Sequence, residues 1–232
     1  MGRRLKNKNA DYAGWKGVIE LFEENSSGKT LLLIVGAGAA GKSTLTRALC
    51  GTGGEEHNTA LLCHDCRSGK QVLERVTYSL FPNGMAIAGN LKNGSDSISR
   101  MDALRRLVNL CWAKRDIVVV DTVRATHKFV RWLHEHPLQP AAIFVYVSPP
   151  LDTNLARLRG RRSARGIVEA ELPPRTFWHV FSFRSRARSV WNYARQHYRR
   201  QPVRFIEITD GTPEQVAERV FEIVRGLPQG RV

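Results

Sequence analysis

One segment in the first quarter of the chain constrains the fold more than any other. Residues 31–35 are five consecutive apolar residues, a glycine-rich stretch follows, and an apolar-periodic segment then runs to residue 50. The apolar run predicts a strand buried on both faces, and the periodic segment predicts a helix. The turn between them matches the pattern G-x4-G-K-[ST] without a gap, at Gly36, Gly41, Lys42 and Ser43. Strand, turn and helix therefore stand in the order that a phosphate-binding loop requires.

The spacing of this pattern has a chemical reason. Small residues allow successive backbone N–H groups to curl around a phosphate, and the start of the helix adds its positive end. Lys42 can reach the β- and γ-phosphates, and the hydroxyl of Ser43 can take one position on Mg²⁺. A glycine-rich turn with a chance Lys-Ser pair is the alternative, but it does not explain the order of the three elements. We therefore predict a nucleoside triphosphate site, whose loop consists of Gly36, Ala37, Gly38, Ala39, Ala40, Gly41, Lys42, Ser43 and Thr44.

The rest of the chain alternates between strand and helix patterns. Further strands are predicted at residues 59–63, 117–120, 143–147 and 203–208, with a hairpin over 72–81 and 85–88 that turns at Pro82-Asn83-Gly84. Helices are predicted between them, including one at 11–24 and a last one that begins at 214. This alternation is typical of an α/β domain with a parallel sheet covered on both faces. We expect one domain over residues 1–232, with a basic arm and helix at 1–29 and a basic, helical region at 150–200.

The positive charge is concentrated in one part of the sequence. The net charge is +15, and the segment from Arg157 to Arg204 holds 13 arginines but only two acids, Glu169 and Glu171. Aromatic residues are interleaved with these arginines, namely Trp178, Phe181, Trp191, Tyr193 and Tyr198. A solvated basic face is the ordinary explanation of such a run. Arginine, however, binds phosphates through its planar fork, so we expect a polyanion, DNA or RNA, as partner.

Membrane and secreted classes fit the composition poorly. No apolar run approaches the roughly 20 residues that span a bilayer, and the basic residues at the N-terminus are not followed by an apolar signal segment. The four cysteines fall inside predicted elements or at a strand exit, where reduced thiols are the simplest interpretation. We expect a cytoplasmic protein without a membrane partner.

A second candidate ligand for Mg²⁺ follows another strand that is predicted to be buried. Asp121 ends the run Ile-Val-Val-Val, an arrangement in which a carboxylate can hold Mg²⁺ directly or through water. A helix N-cap is the alternative role for this residue. Thr122 comes next, so the acid with which motor-type ATPases activate water is missing, and no Asn-Lys-x-Asp motif that reads guanine appears downstream. Transfer to an acceptor hydroxyl or phosphate fits this pattern better than hydrolysis does.

The arginine-rich segment resembles the lid of small P-loop kinases. The pattern is Asn154-x-x-Arg157-x3-Arg161, with Arg162 and Arg165 just beyond. In such lids, arginines close over the donor nucleotide and shield the reaction from water. The resemblance implies that Arg157 and Arg161 contact the phosphates, and it leaves open which of them touches the γ-phosphate. A solvated basic helix end is the alternative.

Two carboxylates could align the attacking oxygen. Asp65 leaves the strand at 59–63 with Arg67 two residues on, which resembles the Asp/Arg pair of polynucleotide kinases and other hydroxyl-phosphorylating P-loop kinases. That pair implies a carboxylate that accepts the hydroxyl proton and an arginine that holds the acceptor's phosphate. Asp96, in Gly94-Ser95-Asp96, is the second candidate. We favour Asp65 as the base and Asp96 as an acceptor contact, although either could be a plain turn residue.

Two further residues complete the predicted site. Arg124 could reach the same acceptor pocket as Asp96. Asp210, in Asp-Gly-Thr-Pro after the last strand, lies where nucleotide kinases let the backbone flank the adenine.

Taken together, residues 30–225 resemble the P-loop nucleotide-kinase group. The resemblance implies a three-layer fold with a five-stranded parallel sheet in the order 2-3-1-4-5, a small hairpin insertion and an arginine-rich lid. Within that group, the segment at 85–96 and the basic C-terminal half are similar to phage P-loop kinases that phosphorylate hydroxymethyluracil in DNA. This similarity implies ATP, Mg²⁺ and a flipped base in DNA, with Trp178 or Phe177 beside it. A kinase for a small acceptor, a polynucleotide 5′-hydroxyl kinase and a nucleic-acid-binding NTPase remain the alternatives.

Overall fold

The computed structural model describes residues 29–64, 69–90, 92, 94–167, 172–199, 203–209 and 215. These residues form an α/β structure, as predicted, in which one mixed sheet is flanked by helices on both faces. Its seven strands are β1 (Thr30–Gly36), β2 (Glu55–His64), β3 (Gln71–Leu80), β4 (Met85–Ile87), β5 (Ile117–Thr122), β6 (Ala141–Val147) and β7 (Val203–Ile208). The five helices in the described residues are α1 (Lys42–Cys50), α2 (Met101–Trp112), α3 (His127–His134), α4 (Leu151–Ser163) and α5 (Pro174–His197).

The strands lie in the order β2-β3-β4-β5-β1-β6-β7. From β4 to β7 every neighbouring pair is parallel, whereas β3 pairs antiparallel with both β2 and β4. The predicted hairpin over 72–81 and 85–88 is confirmed as β3 and β4, but the prediction that 59–63 is the second strand of a five-stranded parallel sheet is wrong. Those residues belong to β2, which pairs with β3 along its whole length as the outer strand of a ribbon. The short apolar run at 59–63 looked like a buried strand, but its outward side chains are exposed because the ribbon has one open face.

Both faces of the central strands are buried. On one face, Leu31, Leu33 and Val35 of β1 pack with helices α2, α3 and α5. On the other face, Leu32 and Ile34 pack with α1. Each fully buried side chain of this kind contributes about 1.5–3 kcal/mol relative to an exposed one. The prediction that β1 is a strand buried on both faces is confirmed.

The topology places several loops at one edge of the sheet. The parallel register pairs Val35 with Thr122 and Gly36 with Val147, so β1, β5 and β6 end side by side. The loops that follow the carboxyl ends of parallel strands meet at this edge, which is where such sheets bind ligands. The predicted helices at 11–24 and from 214 lie outside the described residues. None of the helices that the structure describes is long and apolar enough to cross a membrane.

Candidate active site

The segment between β1 and α1 packs closely against the neighbouring strand. A Cβ on Gly36 would lie 2.4 Å from the carbonyl oxygen of Val147 in β6. No side chain fits there, so the glycine allows the two strand ends to approach. Ala37 and Ala40 behind it are also buried. The loop therefore follows the sheet edge closely.

Helix α1 starts directly after this loop. Gly41 is the N-cap residue, and the N–H groups of Thr44 and Leu45 donate to its carbonyl oxygen at 3.1 and 3.0 Å. The first N–H groups of a helix have no intrahelical acceptor. The first turn of α1 contains no acidic residue. Such a helix start attracts an anion.

The ammonium group of Lys42 lies between the loop and a carboxylate. Its Nζ donates to the carbonyl oxygen of Ala37 at 3.2 Å and lies 3.9 Å from Oδ1 of Asp121. The side chains of Lys42 and Asp121 are only 6% and 2% exposed. The predicted loop lysine and the predicted strand-end carboxylate are therefore brought together.

Asp121 is a buried carboxylate held by hydroxyl donors. Thr46 Oγ1 donates to its Oδ2 at 3.2 Å, and the hydroxyl of Ser43 also bonds to it. Burial raises the pKa of Asp121, and the nearby Lys42 opposes that rise, while the negative charge of Asp96 adds to it. A carboxylate and a hydroxyl are the oxygen ligands that Mg²⁺ prefers. Ser43 and Asp121 therefore fit the cation that the sequence predicted for them.

Arginines surround the other side of the loop. Arg157 of α4 donates through Nη1 to the carbonyl oxygen of Ala40 at 3.0 Å, so the predicted lid helix contacts the loop. Partial burial lowers the pKa of Arg161, and so do the positive charges of Arg47, Arg165 and Arg157. Asp121 acts in the opposite direction on Arg161. The structure thus gathers like charges beside the loop between β1 and α1, where an anion would relieve their repulsion.

The loop after β4 closes over Asp121. A Cβ on Gly94, which has a φ of 56°, would come within 3.2 Å of Oδ2 of Asp121. Two residues later, Oδ1 of Asp96 accepts hydrogen bonds from the hydroxyl of Thr122 and the N–H of Val123, both at 2.8 Å. Asp96 therefore lies at the end of β5, next to the part of the strand that carries Asp121. One of its oxygens is already engaged in holding the end of β5.

The remaining predicted residues fall into two groups. Arg124 donates through Nη1 to the carbonyl oxygen of Ile98 at 3.2 Å, which places it on the same loop pair as Asp96. Trp178 lies on α5 and is 63% exposed. Asp65, Arg67 and Asp210 lie outside the described residues. The proposed base and the adenine contact therefore stay predictions.

Sequence reasoning missed two residues of this site. Thr46 bonds to Asp121, and Arg47 donates through Nε to the carbonyl oxygen of Ser43 at 3.1 Å and lies close enough to Arg161 to lower its pKa. Both stand one helical turn after Lys42 and Ser43, and residues four apart on a helix share a face. That spacing was the signal that could have identified them.

The sequence matches no protein-family model and no curated protein. The functional interpretation consequently rests on the geometry of these residues.

Proposed function

We propose that this chain is an ATP- and Mg²⁺-dependent kinase that transfers the γ-phosphate to a hydroxyl on nucleic acid. The acceptor that we propose first is a hydroxymethylated base, hydroxymethyluracil, in DNA. The observation that carries the proposal is the arrangement of Lys42, Ser43 and Asp121 at the start of α1, where a lysine, a hydroxyl and a buried carboxylate meet. Two supporting features are the order of the parallel strands and the arginines on α4 and α5.

The residues that would bind ATP, the phosphate donor, are those of the phosphate loop and its neighbours. The N–H groups at the start of α1 would bind the phosphate oxygens, and Lys42 would neutralise charge on the β- and γ-phosphates. Ser43 and Asp121 would hold Mg²⁺, which when bound would neutralise part of the negative charge of the phosphates. Arg157 and Arg161 would stabilise the charge that spreads over the γ-phosphoryl oxygens during transfer.

Transfer is favoured over hydrolysis by the residue after Asp121. Thr122 donates its hydroxyl to Asp96 at 2.8 Å, so this position holds a neutral side chain committed to a structural bond. In the proposed reaction, Asp65 accepts the proton of the acceptor hydroxyl. The hydroxyl oxygen of the acceptor forms a bond to the γ-phosphorus, and the bond from the γ-phosphorus to ADP breaks. Arg67 would hold a phosphate of the acceptor, and Asp96 with Arg124 would form the opposite wall of its pocket.

The order of the parallel strands supports the kinase assignment. The parallel part of the sheet has the spatial order β4-β5-β1-β6-β7. If these five strands are numbered 1 to 5 along the chain, that order is 2-3-1-4-5. The order that the resemblance to P-loop nucleotide kinases implied counted 59–63 as the second strand, so the likeness holds only if β4 takes that place. The β2–β3 ribbon is then an addition at the edge of the sheet.

The charge on α4 and α5 supports a polymeric acceptor. Together these helices carry nine arginines and one acid, Asp152. A small acceptor would need only the arginines beside the phosphate loop. The remainder continue along α5, as a polyanion would require.

An acceptor panel tests the proposal. ADP release would be measured with hydroxymethyluracil-containing DNA, unmodified DNA, 5′-hydroxyl oligonucleotides and free nucleosides. Release that depends on the hydroxymethylated DNA supports the proposal as stated. Release with free nucleosides alone would favour a small acceptor, and release with every DNA but no phosphorylated product would indicate an NTPase.

A further inference from the structure

Three large aromatic side chains are exposed on the first turns of α5. Phe177, Trp178 and Phe181 are 37%, 63% and 49% exposed. Trp178 lies between the other two in edge-to-face geometry, with ring centroids 6.2 Å from Phe177 and 6.1 Å from Phe181. Clustered exposed aromatics on a folded domain indicate a binding surface. We call these three residues the aromatic platform.

The aromatic platform lies close to the phosphate loop. Val180, on the same helical turns, is buried against Ala37 of the loop and Leu155 of α4. Two residues of the platform, Phe177 and Trp178, also form one wall of a cavity of about 350 Å³ between α4 and α5. The residues that line this cavity are Leu155, Arg159, Leu172, Pro174, Phe177 and Trp178. A molecule on the platform would therefore lie beside the proposed donor site.

The positive charge around the aromatic platform indicates which kind of molecule it binds. Helix α5 holds five arginines and no Asp or Glu, and Arg159 of α4 lines the same cavity as Trp178. Arg184 of α5 donates to the carbonyl oxygen of Pro149, which anchors this helix to the loop after β6. Exposed rings among fixed positive charges complement a molecule with both flat π-faces and phosphates. A nucleic-acid strand with unpaired bases has both.

We propose that the aromatic platform stacks on unpaired bases of a nucleic-acid strand whose phosphates contact the arginines of α4 and α5. The acceptor is then single-stranded or locally opened at the site, because bases inside a duplex expose no face for stacking. This inference rests on the proposed function for the nature of the acceptor. The binding itself requires neither ATP nor transfer.

Binding of a labelled oligothymidine of about 20 nucleotides, longer than one stacking site, tests the proposal by fluorescence anisotropy without ATP. The test variant is Trp178→Ala with Phe181→Ala, and Trp178→Phe retains an aromatic ring. The matched control is Leu62→Ala with Leu73→Ala, which removes an exposed apolar pair from the β2–β3 ribbon. All four altered side chains are exposed, so we expect the variants to fold, and their melting temperatures check this.

We expect the double aromatic variant to bind the single strand about 10- to 100-fold more weakly than wild type. We expect Trp178→Phe and the leucine control to bind as wild type does, and the slope of affinity against salt to stay constant because the phosphate contacts remain. Unchanged affinity of the double variant would overturn the proposal, as would an equal loss in the leucine control. A loss confined to Mg-ATP binding would also overturn it, because the rings would then stack on the donor base.

The outcome for the platform is separable from that for the proposed function. Platform-dependent binding without any phosphoryl transfer would contradict the kinase and retain the platform. Transfer to DNA by a protein whose double variant binds single strands normally would retain the kinase and overturn the platform.

Discussion

The hydroxyl of Thr46 donates a 3.2 Å hydrogen bond to Oδ2 of Asp121, although the two residues lie 75 positions apart in the chain. The other oxygen, Oδ1, lies 3.9 Å from Nζ of Lys42. The first turns of α1 and the end of β5 are thus joined through one carboxylate. Its orientation depends on a residue outside the loop motif.

Replacing Thr46 by Val removes this bond while nearly preserving the side-chain volume. We expect the free energy of unfolding to fall by about 1–3 kcal/mol, because a buried carboxylate loses a donor. Urea unfolding measures this change. The control is Thr59→Val on β2, for which we expect a change within about 0.5 kcal/mol. Equal stabilities of Thr46→Val and wild type would contradict the role assigned to the bond.

Asp121 should make stability depend on pH with a defined sign. Burial raises its folded-state pKa above the unfolded value, so the folded protein binds the proton more tightly. The resulting stabilisation is fully present below the unfolded pKa and is lost as pH rises through the folded pKa. We therefore expect the stability of wild type relative to Asp121→Asn to fall as pH rises from the acid range to neutrality. Thermal unfolding of both proteins across that range measures the difference, and a rising difference would refute the assignment.

The variant Asp121→Asn also tests whether this carboxylate takes part in binding Mg-ATP. Mg-ATP should raise the melting temperature of wild type, because a ligand that binds only the folded state stabilises it. Asp121→Asn should lose most of that increase. An equal increase in both proteins would show that the carboxylate takes no part in binding.

Arg161 should act through its charge beside the phosphate loop. We expect Arg161→Gln to weaken ATP binding about 10- to 150-fold, since a guanidinium–phosphate contact contributes about 1.5–3 kcal/mol. The matched control is Arg186→Gln. Arg186 is an exposed arginine on α5, and its Cζ lies 5.8 Å from the ring centroid of Phe183. Calorimetric titration with ATP distinguishes the two variants. Similar losses in both would mean that only net charge matters.

The elements that local patterns define were predicted well. The bounds of β7, 203–208, and the core of β1 follow from short apolar runs flanked by polar residues. The hairpin predicted over 72–81 and 85–88 is also present, as β3 and β4. Strand β2, in contrast, is defined by its pairing with β3. The residues at 59–63 do not carry that antiparallel pairing in their own pattern.

The candidate site divides in the same way. The loop from Gly36 to Thr44 is a contiguous motif, so its residues could be named from the sequence. The bonds of Asp96 to Thr122 and Val123 span 26 and 27 positions and could not be. The approach of Arg47 to Arg161 likewise depends on how α1 and α4 pack.

Two substitutions at Asp96 separate a structural role from a catalytic one. Asp96→Asn retains an oxygen that can accept from Thr122 and Val123, whereas Asp96→Ala does not. If Asp96 positions the end of β5, the Asn variant should keep near-normal transfer and the Ala variant should lose stability by about 1–3 kcal/mol. If Asp96 is the base, transfer should collapse in both. Rates of transfer and urea unfolding together decide between these roles.

Asp65 is the companion test for the base. We expect Asp65→Asn to abolish transfer while ATP binding stays intact, because an amide cannot accept the hydroxyl proton. A full rate in this variant would move the role of base to Asp96.

The most direct test of the central claim is transfer of labelled γ-phosphate from ATP to hydroxymethyluracil-containing DNA by wild type and by Lys42→Ala. We expect label in the hydroxymethylated polymer, none in unmodified DNA, and a loss of at least about 100-fold in Lys42→Ala. Label that appears only in free nucleosides, or label in the polymer at an equal rate with Lys42→Ala, would contradict the account.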